Sequence, residues 1–275
     1  MSGRSRRVAH QMAVDMEQLR TKTQAPPEPS ATSRPVAIRA LLDKLERRDR
    51  LAPVERAALE ALLEPPRLYP AGSAIVMAGD RSTHSSLLLS GVTARQNVTA
   101  EGARSFTQLN IAGDFVDLHS LLMEQMDHGV VAITDCLLAS APHGRIIAVT
   151  AAHPHLARLL WLDTVIDAAI HRQWLHRMGR QAALGRTAHL ICEMEARCEV
   201  VGLADETGFD LPLSQSELGD CLGLSAVHVN RTLMELRRLE VVEWRGPRIR
   251  LLDRDRLRAL AAFDPTYLRL HSAPV

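Results

Sequence analysis

The segment Leu211–Leu252, LPLSQSELGDCLGLSAVHVNRTLMELRRLEVVEWRGPRIRLL, constrains the fold of this chain more than any other part of it. Ser214 is followed three residues later by Glu217. This is the spacing of a capping box, in which the two side chains satisfy free N–H groups at the start of a helix. A short helix is therefore predicted over Gln215–Cys221, with its end at the glycine Gly223.

A second helix and a short β-ribbon follow in the same segment. Ser225 is a residue type that caps helices, and the glycine before it fits the tight turn between the two helices of a helix-turn-helix. Two β-like runs, Val241–Trp244 and Arg248–Leu252, flank the turn residues Gly246 and Pro247. This order of cap, turn, cap and ribbon predicts a winged helix-turn-helix. The positions of the second helix predicted to face inward are Val229, Leu233 and Leu236.

The outward side chains of the second helix predict binding to double-stranded DNA, since this motif places its second helix in the major groove. Arg231 is the residue type best suited to contact guanine with two hydrogen bonds, and His228 and Asn230 suit bases or phosphates. Ala226 and Val227 suit contact with a thymine methyl group. The predicted DNA contacts are Ser214, Gln215, Ser225, Ala226, Val227, His228, Asn230, Arg231, Arg237 and Arg248. Further candidates for phosphate contacts are Arg238, Arg245 and Arg250.

The first half of the chain has a different pattern of apolar and turn residues. Two helices are predicted over Val36–Asp49 and Pro53–Leu63. From Arg67 to Val149, short apolar runs alternate with turn residues about every ten positions, which favours a single all-β unit. The runs of strand length are Ala74–Met77, Ser86–Leu89, Val130–Thr134 and Ile146–Thr150.

A long helix is predicted between the β unit and the winged helix-turn-helix, over about Pro154–Arg180. At about 1.5 Å per residue it would reach roughly 40 Å, and it is apolar on more than one side. It must therefore pack on its own domain and on something else, for which the simplest candidate is the same helix of a twofold-related copy. The alternative is a helix buried wholly within its own chain. Gly179 and Gly185 predict a hinge into a further helix, Arg186–Cys198.

These elements predict an α+β chain: an N-terminal antiparallel, jelly-roll-like β-roll, a long dimerisation helix and a C-terminal winged helix-turn-helix. We expect a disordered extension over 1–35, with a short helix around Met12–Arg20, and a β-roll sensor domain over 36–152. The dimerisation helix and hinge are expected over 153–182, and the DNA-binding domain over 183–265.

Composition removes several classes of protein. Lys and Arg total 33 and Asp and Glu total 32, so the net charge of +1 excludes a polybasic nucleic-acid coat but not a local basic face. No apolar run is long enough for a membrane span, no secretory signal is recognisable, and the four cysteines are scattered. We therefore expect a cytoplasmic protein with reduced thiols. Because no nucleophile motif or P-loop is present, we do not expect an enzyme.

The chain resembles the cyclic-AMP receptor protein/fumarate-nitrate regulator (CRP/FNR) family of bacterial transcription factors. The resemblance runs from about Val36 to Leu260 and is carried by AGSAIVMAGD, LLLSGV, IAGDFVDLHSLL, the long helix and LSQSELGDCLGLSAVHVNRTLMELR. It implies a homodimer that binds a palindromic operator and contacts RNA polymerase. It also implies that an effector, where there is one, lies in the β-roll against the dimer helix.

Departures from the family pattern argue against its two best-known sensors. Cyclic-nucleotide-binding members have Gly-Glu after a Gly-Asp-Phe turn and a later Arg-Ser or Arg-Thr that holds the phosphate. Here Asp117, Leu118 and His119 follow the turn, and Met126-Asp127-His128-Gly129 stands where the clamp is expected, so we do not expect cAMP or cGMP binding. No cysteine precedes Cys136, so an N-terminal iron–sulfur cluster is not expected either.

The identity of an effector stays open from the sequence. The candidate effector pocket is Asp117, His119, Asp127 and His128. No cofactor is predicted, but these residues, with Cys136 and His143, have the chemistry of a transition-metal site, and neither metal nor haem is excluded. The alternatives are an unknown small-molecule effector, a metal- or redox-responsive regulator, and a constitutive regulator without an effector.

One departure also affects the DNA contacts. Val227 stands where many relatives have a Glu that pairs with cytosine, whereas Arg231 is retained. We therefore expect one retained guanine contact per half-site and a different outer consensus.

Overall fold

The structure, a computed structural model, describes residues 34–270. Most of the predicted extension 1–35, including the helix expected around Met12–Arg20, lies outside the described residues. The chain begins with α1 (Arg34–Glu46) and α2 (Pro53–Leu62), close to their predicted bounds. Pro53 occupies the first turn of α2, where the N–H that it lacks has no partner in the helix.

Two antiparallel sheets form the predicted β-roll. One has the strand order β1-β7-β3, and the other has the order β2-β6-β4-β5. A short 3₁₀ turn, Leu118–Leu121, lies between β5 and β6. The strands are β1 (Arg67–Tyr69), β2 (Ala74–Val76), β3 (His84–Ser90), β4 (Thr93–Val98), β5 (Arg104–Asn110), β6 (Gly129–Ala132) and β7 (Cys136–Pro142).

The prediction that Ile146–Thr150 is a strand is wrong. This run lies in α3 (His143–Ala152), so the region from Arg67 to Val149 is not purely β. Only Ile146 of the helix is fully buried, against the core beneath α1 and α2. A short apolar run rich in Ile, Val and Thr favours a strand locally, but packing on the roll decides the conformation.

The long helix α4 spans Pro154–Arg180, as predicted. The next helix, α5, spans Ala183–Val200, so it begins before the predicted start at Arg186 and contains Gly185. The chain breaks at Gln181 and Ala182, which lie between the two glycines predicted to mark the hinge and both have extended backbone. The buried side of α4 consists of Leu156, Leu159, Leu160, Asp163, Ile166, Ile170 and Trp174.

The C-terminal part contains the predicted winged helix-turn-helix. Its sheet has the order β10-β11-β9-β8, and the β8–β9 hairpin was not predicted from the sequence. A Cβ at Gly208 would lie 1.9 Å from the backbone oxygen of Ile249, so only glycine fits this strand pairing. The elements are β8 (Ala204–Asp205), β9 (Gly208–Asp210), α6 (Gln215–Leu222), α7 (Ala226–Arg238), β10 (Val242–Arg245), β11 (Arg248–Leu251), α8 (Arg254–Ala261) and a 3₁₀ turn (Pro265–Leu268).

One hydrophobic core runs from the β-roll into the winged helix-turn-helix. It joins Phe106 of β5 and Ile170 of α4 to Phe209 of β9 and Leu218 of α6. The N-terminal helices pack on a second cluster with β3, β7 and the start of α4. None of the helices described between residues 34 and 270 is both long and apolar enough to cross a membrane.

Candidate nucleic-acid interface and ligand cavity

The first helix of the motif, α6, is held by the predicted capping box. The hydroxyl oxygen of Ser214 accepts the N–H of Glu217 at 3.2 Å, and the Glu217 carboxylate accepts the N–H of Ser214 at 2.8 Å. Gly223 ends the helix with a φ of 62°, a left-handed conformation that glycine adopts without strain. Leu218 and Leu222 bury the inner side of α6, which leaves Ser214 and Gln215 exposed at its start.

The second helix, α7, exposes the face that the sequence predicted. The hydroxyl oxygen of Ser225 accepts the N–H of His228 at 3.3 Å and caps the helix. Val229 and Leu236 are buried as predicted, but Leu233 is only half-buried. Thr232 is buried in its place and donates to the backbone oxygen of His228 at 2.9 Å. The exposed residues of the first turns are Ala226, Val227, His228, Asn230 and Arg231.

The arginines of this region divide into paired and unpaired groups. Arg248 bridges Asp205 and Asp210 at the base of the wing, and it is further held by the hydroxyl of Thr207 at 2.8 Å. Its guanidinium therefore stabilises the β8–β9–β11 sheet as well as facing solvent. Arg238 pairs with Glu235, and Arg245 and Arg250 both pair with Glu243.

Arg231 and Arg237 are different. Both are exposed on α7, and neither guanidinium has an ion-pair or hydrogen-bond partner among residues 34–270. Their charges are thus free for an external partner. Together with the exposed start of α7, they offer the residue types that contact bases and phosphates in a nucleic-acid groove.

A cavity of about 380 Å³ lies between the β-roll and α4. Three of the four predicted effector-pocket residues, His119, Asp127 and His128, line it. The fourth, Asp117, does not: it is buried and accepts the N–H of Ser86 instead. Burial raises the pKa of Asp117 to about 6, against the effect of its hydrogen bonds. The full lining is Arg95, Asn97, Thr107, His119, Met123, Asp127, His128, Thr164, Asp167, Ala168 and His171.

His119, Asp127 and His128 form a compact cluster. Each offers a potential ligand atom, and these three atoms lie within 4.8 Å of one another. The Nδ1 of His128 lies 2.6 Å from the carboxylate of Asp127, and the two imidazole centroids are 5.0 Å apart. The Nε2 atoms of both histidines are buried, and no residue between 34 and 270 offers them a hydrogen-bond partner.

The environment keeps these imidazoles neutral. Burial, followed by the nearby charge of Arg95, lowers the pKa of His119 to about 3. The same two causes lower the pKa of His128, although Asp127 opposes the shift. Each ring therefore has an unprotonated nitrogen at neutral pH, which is the form that binds metal ions.

Sequence reasoning missed Arg95, Asp167 and His171, which line the same cavity. Arg95 donates to the carboxylate of Asp167 and to the side-chain oxygen of Gln108, both at 2.7 Å. It also donates to the backbone oxygen of Val116 at 2.9 Å. The sequence analysis gave no signal for Arg95, because β4 was not among the runs predicted as strands.

The remaining candidates for a metal or redox site lie apart. The Nε2 of His143 contacts the hydroxyls of Ser85 and Ser120, and Cys136 donates to the backbone oxygen of Val92 at 3.2 Å. All four cysteines are unpaired and buried. Burial raises the pKa of Cys192 and of Cys198 to about 12, so these thiols are weak nucleophiles.

The outer side of α4 carries an exposed stripe at alternating spacings of four and three residues. Trp161 and Leu175 are 71% and 69% exposed, and Val165 is also exposed. This is the heptad spacing of a coiled-coil seam. The stripe, which we call the α4 stripe, consists of Trp161, Val165, Ala168, Arg172, Leu175 and Gly179.

Two family models match the chain. The model of the cyclic nucleotide-binding domain matches residues 66–153, and that of the Crp-like helix-turn-helix domain matches residues 185–260. Each match covers one of the two parts in which a candidate site lies: the β-roll with most of the cavity, and the domain with α6 and α7.

Curated relatives and solved structures agree with these models. Transcriptional activator protein FnrL of Cereibacter sphaeroides is 26% identical over 66% of this chain and 74% of that protein. Nitrogen fixation regulation protein FixK of Bradyrhizobium diazoefficiens is 27% identical over 70% of this chain and 81% of that protein. The structure of FixK2 from Bradyrhizobium japonicum matches with a TM-score of 0.67 and 23% identity, over 74% of this chain and 98% of that one.

Proposed function

Because the chain belongs to the CRP/FNR family of DNA-binding transcription regulators, we propose that it binds a twofold-symmetric operator as a homodimer. Bound there, it acts on transcription through contact with RNA polymerase. The observation that carries the operator contact is the exposed face of the first two turns of α7, where Asn230 and Arg231 reach solvent beside the exposed apolar side chain of Val227.

The exposed side chains of α7 have different roles in binding DNA. Arg231 reads guanine, because its guanidinium is unpaired within residues 34–270 and its planar donors match the two acceptors of guanine. Val227 is 78% exposed, which suits contact with a thymine methyl group rather than with water. Arg237 and the N–H groups at the start of α6 contact phosphates, which position the protein without reading sequence.

The α4 stripe supports the proposed dimerisation. Trp161, Val165 and Leu175 are large apolar side chains exposed on one line of a 27-residue helix. Pairing α4 with its copy in parallel buries all of them, and a parallel pair gives the assembly a twofold axis along the helices. The two copies of α7 then reach half-sites about one helical turn of DNA apart.

The cavity does not suit a cyclic nucleotide. A cyclic phosphate needs a positive side chain free to bind it. Arg95 is the only arginine or lysine among the cavity-lining residues described, and Asp167 and Gln108 hold its guanidinium. Asp127 adds a further negative charge to the lining. We therefore propose a regulator that does not respond to cAMP or cGMP.

The proposal is tested by selecting bound sequences from a random DNA pool with the wild-type chain, Arg231→Ala and Arg231→Lys. We expect the wild type to select a palindrome. Arg231→Ala should lose about 1–3 kcal/mol of operator affinity and relax one position in each half-site. Arg231→Lys keeps the charge but not the planar pair of donors, so it should retain non-specific affinity and still relax that position.

The matched control is Arg237→Ala, on the same helix. We expect it to weaken binding to all sequences about equally and to reduce the salt dependence of binding, as loss of a phosphate contact does. An unchanged consensus for Arg231→Ala would contradict the assigned role, and a selected sequence without twofold symmetry would contradict the dimeric operator.

A further inference from the structure

Two buried imidazole nitrogens in the cavity lack partners, and this is the observation that most needs an explanation. The Nε2 atoms of His119 and His128 are both shielded from solvent, and neither has a hydrogen-bond partner among residues 34–270. A buried polar atom without a partner is unfavourable, so such an atom calls for a partner from outside the chain, such as an ordered water, a ligand or a bound ion. Here two of them belong to neighbouring rings.

The neighbouring carboxylate gives these rings the arrangement of metal ligands. The Nδ1 of His128 lies 2.6 Å from the carboxylate oxygen of Asp127. A histidine that binds a metal through Nε2 typically donates its Nδ1–H to a carboxylate, which fixes the orientation and tautomer of the ring. Asp127 is 68% exposed at its side chain, so its carboxylate can instead turn away from the Nδ1 of His128 and bind the ion itself.

We propose that His119, Asp127 and His128 bind one divalent transition-metal cation per subunit, in the cavity between the β-roll and α4. Two imidazole nitrogens and a carboxylate suit zinc, cobalt, nickel or ferrous iron, whereas magnesium and calcium favour sites made of oxygen atoms alone. Donors bound to one zinc ion at about 2.1 Å lie about 3.4 Å apart. Since the three potential ligand atoms already lie within 4.8 Å of one another, closure around an ion needs only local side-chain rotation.

The cavity leaves room for a further ligand. Three protein ligands leave the fourth position of a tetrahedral ion open, which is typical of sites where an ion binds an exchangeable molecule. The cavity of about 380 Å³ extends from the cluster to α4, where His171 and Ala168 line it.

The test uses the full-length chain, freed of any purification tag and of metal, and titrated with Co²⁺. We expect one Co²⁺ per subunit and ligand-field bands in the visible spectrum that are typical of a four-coordinate nitrogen and oxygen site. A stoichiometric amount of Zn²⁺ should abolish these bands, and a large excess of Mg²⁺ should not.

Three variants locate the site. His128→Ala and His119→Ala should each lower the Co²⁺ affinity by at least tenfold, and Asp127→Asn, at an exposed position, should lower it by about 10–100-fold. The matched control is His176→Ala, which removes an exposed histidine of α4 that does not line the cavity. It should bind Co²⁺ as the wild type does.

Two results would overturn the proposal. One is a metal-free chain that binds no Co²⁺ or Zn²⁺ with one-to-one stoichiometry. The other is an Asp127→Asn variant with a wild-type far-UV circular dichroism spectrum and unchanged affinity and bands. Because Asp127 is exposed, this variant keeps the test decisive if a histidine variant fails to fold.

Discussion

Asp114 illustrates how a residue of a turn can become a structural junction. In the sequence it is one of several Gly-Asp turn signals. In the structure it is buried, and its carboxylate accepts from Lys44 at 3.0 Å and from Arg197 at 2.8 Å. Lys44 in turn contacts Asp163 at 2.9 Å, so α1, the β-roll, α4 and α5 meet in one buried network of charges. Such a network favours this arrangement only while every charge is paired.

At the same scale, we expect Asp163→Asn to destabilise the chain in a pH-dependent way. Burial opposes the charged form of Asp163, but Lys44 and Arg48 outweigh it and hold the pKa of the carboxyl far below its usual range. Its stabilising contribution is therefore fully present above the usual pKa of about 3.9 and is lost as the pH falls toward the lowered value. Asp163→Asn should cost about 3–5 kcal/mol near pH 7, and this deficit should shrink below about pH 4.

Urea unfolding of the wild type and of Asp163→Asn between pH 3 and pH 7 measures the difference in their free energies of unfolding. The control is Asp43→Asn, which removes an exposed carboxylate paired with Arg39 one helical turn away. It should change the stability by less than about 0.5 kcal/mol at each pH. A deficit for Asp163→Asn that stays constant over the whole pH range would show that the lost contacts are not ionic.

At the scale of elements, the two faces of α4 have different roles. Its buried side, with Ile166 and Ile170, belongs to the shared core, and its outer side is the α4 stripe. Ala168 belongs to both the stripe and the lining of the cavity. An ion or small molecule bound in the cavity would therefore contact the helix directly beside the proposed dimer seam.

We expect Leu175→Glu to break the proposed dimer. In a parallel pair of α4 helices, two glutamates would face each other across an apolar seam and would lose hydration while repelling each other. We expect the substitution to cost at least about twice 1.4 kcal/mol of dimerisation free energy. Since each 1.4 kcal/mol changes an equilibrium constant tenfold, the dimer dissociation constant should rise by about a hundredfold or more. Sedimentation equilibrium of the wild type and of Leu175→Glu over a range of concentrations measures the two dissociation constants.

The matched control places the same charge on an exposed apolar side chain away from the stripe. Val98, at the end of β4, is 57% exposed, so Val98→Glu should leave the dissociation constant unchanged. A wild-type chain that stays monomeric at tens of micromolar, or a dimer unaffected by Leu175→Glu, would contradict the α4 seam.

The elements also show where sequence reasoning succeeds. The bounds of α4 and the caps of α6 and α7 were predicted because helical periodicity and capping residues are local signals. The strand predicted over Ile146–Thr150 and the missed β8–β9 hairpin depend instead on packing between distant segments. The β8–β9 hairpin is completed by pairing with β11, about 40 residues later, which no local pattern reports.

The candidate sites follow the same rule. The exposed face of α7 was predicted because its spacing is helical and local. His119, Asp127 and His128 were predicted to share a pocket from the family resemblance, and the loop between β5 and β6 brings them together. Arg95 and His171 come from β4 and α4, so only the fold places them in the same cavity.

At the scale of the whole molecule, the β-roll and the DNA-binding part share more than a linker. Their hydrophobic core is continuous, and Arg104 of β5 pairs with Asp220 of α6 at 2.7 Å. Arg197 of α5 donates to the backbone oxygen of Leu109 at 2.9 Å as well as to Asp114. A change in the conformation of the β-roll would therefore reach α6 and α7 through direct side-chain contacts.

This continuity leads us to expect a single unfolding transition for the wild-type chain and a divided one for Arg197→Ala. The substitution leaves the oxygen of Leu109 and part of the charge of Asp114 buried without a partner, at a cost of about 3–5 kcal/mol. Because these contacts join the β-roll to the DNA-binding part, their loss weakens the attachment between the two. The DNA-binding part should therefore melt first, about 10 °C below the wild-type transition. Differential scanning calorimetry with parallel circular dichroism measures both transitions. Arg238→Ala, which breaks an exposed pair within α7, should leave one transition near the wild-type Tm. If the wild type already melts in two steps, or if Arg197→Ala melts in one, the buried charges do not couple the two parts.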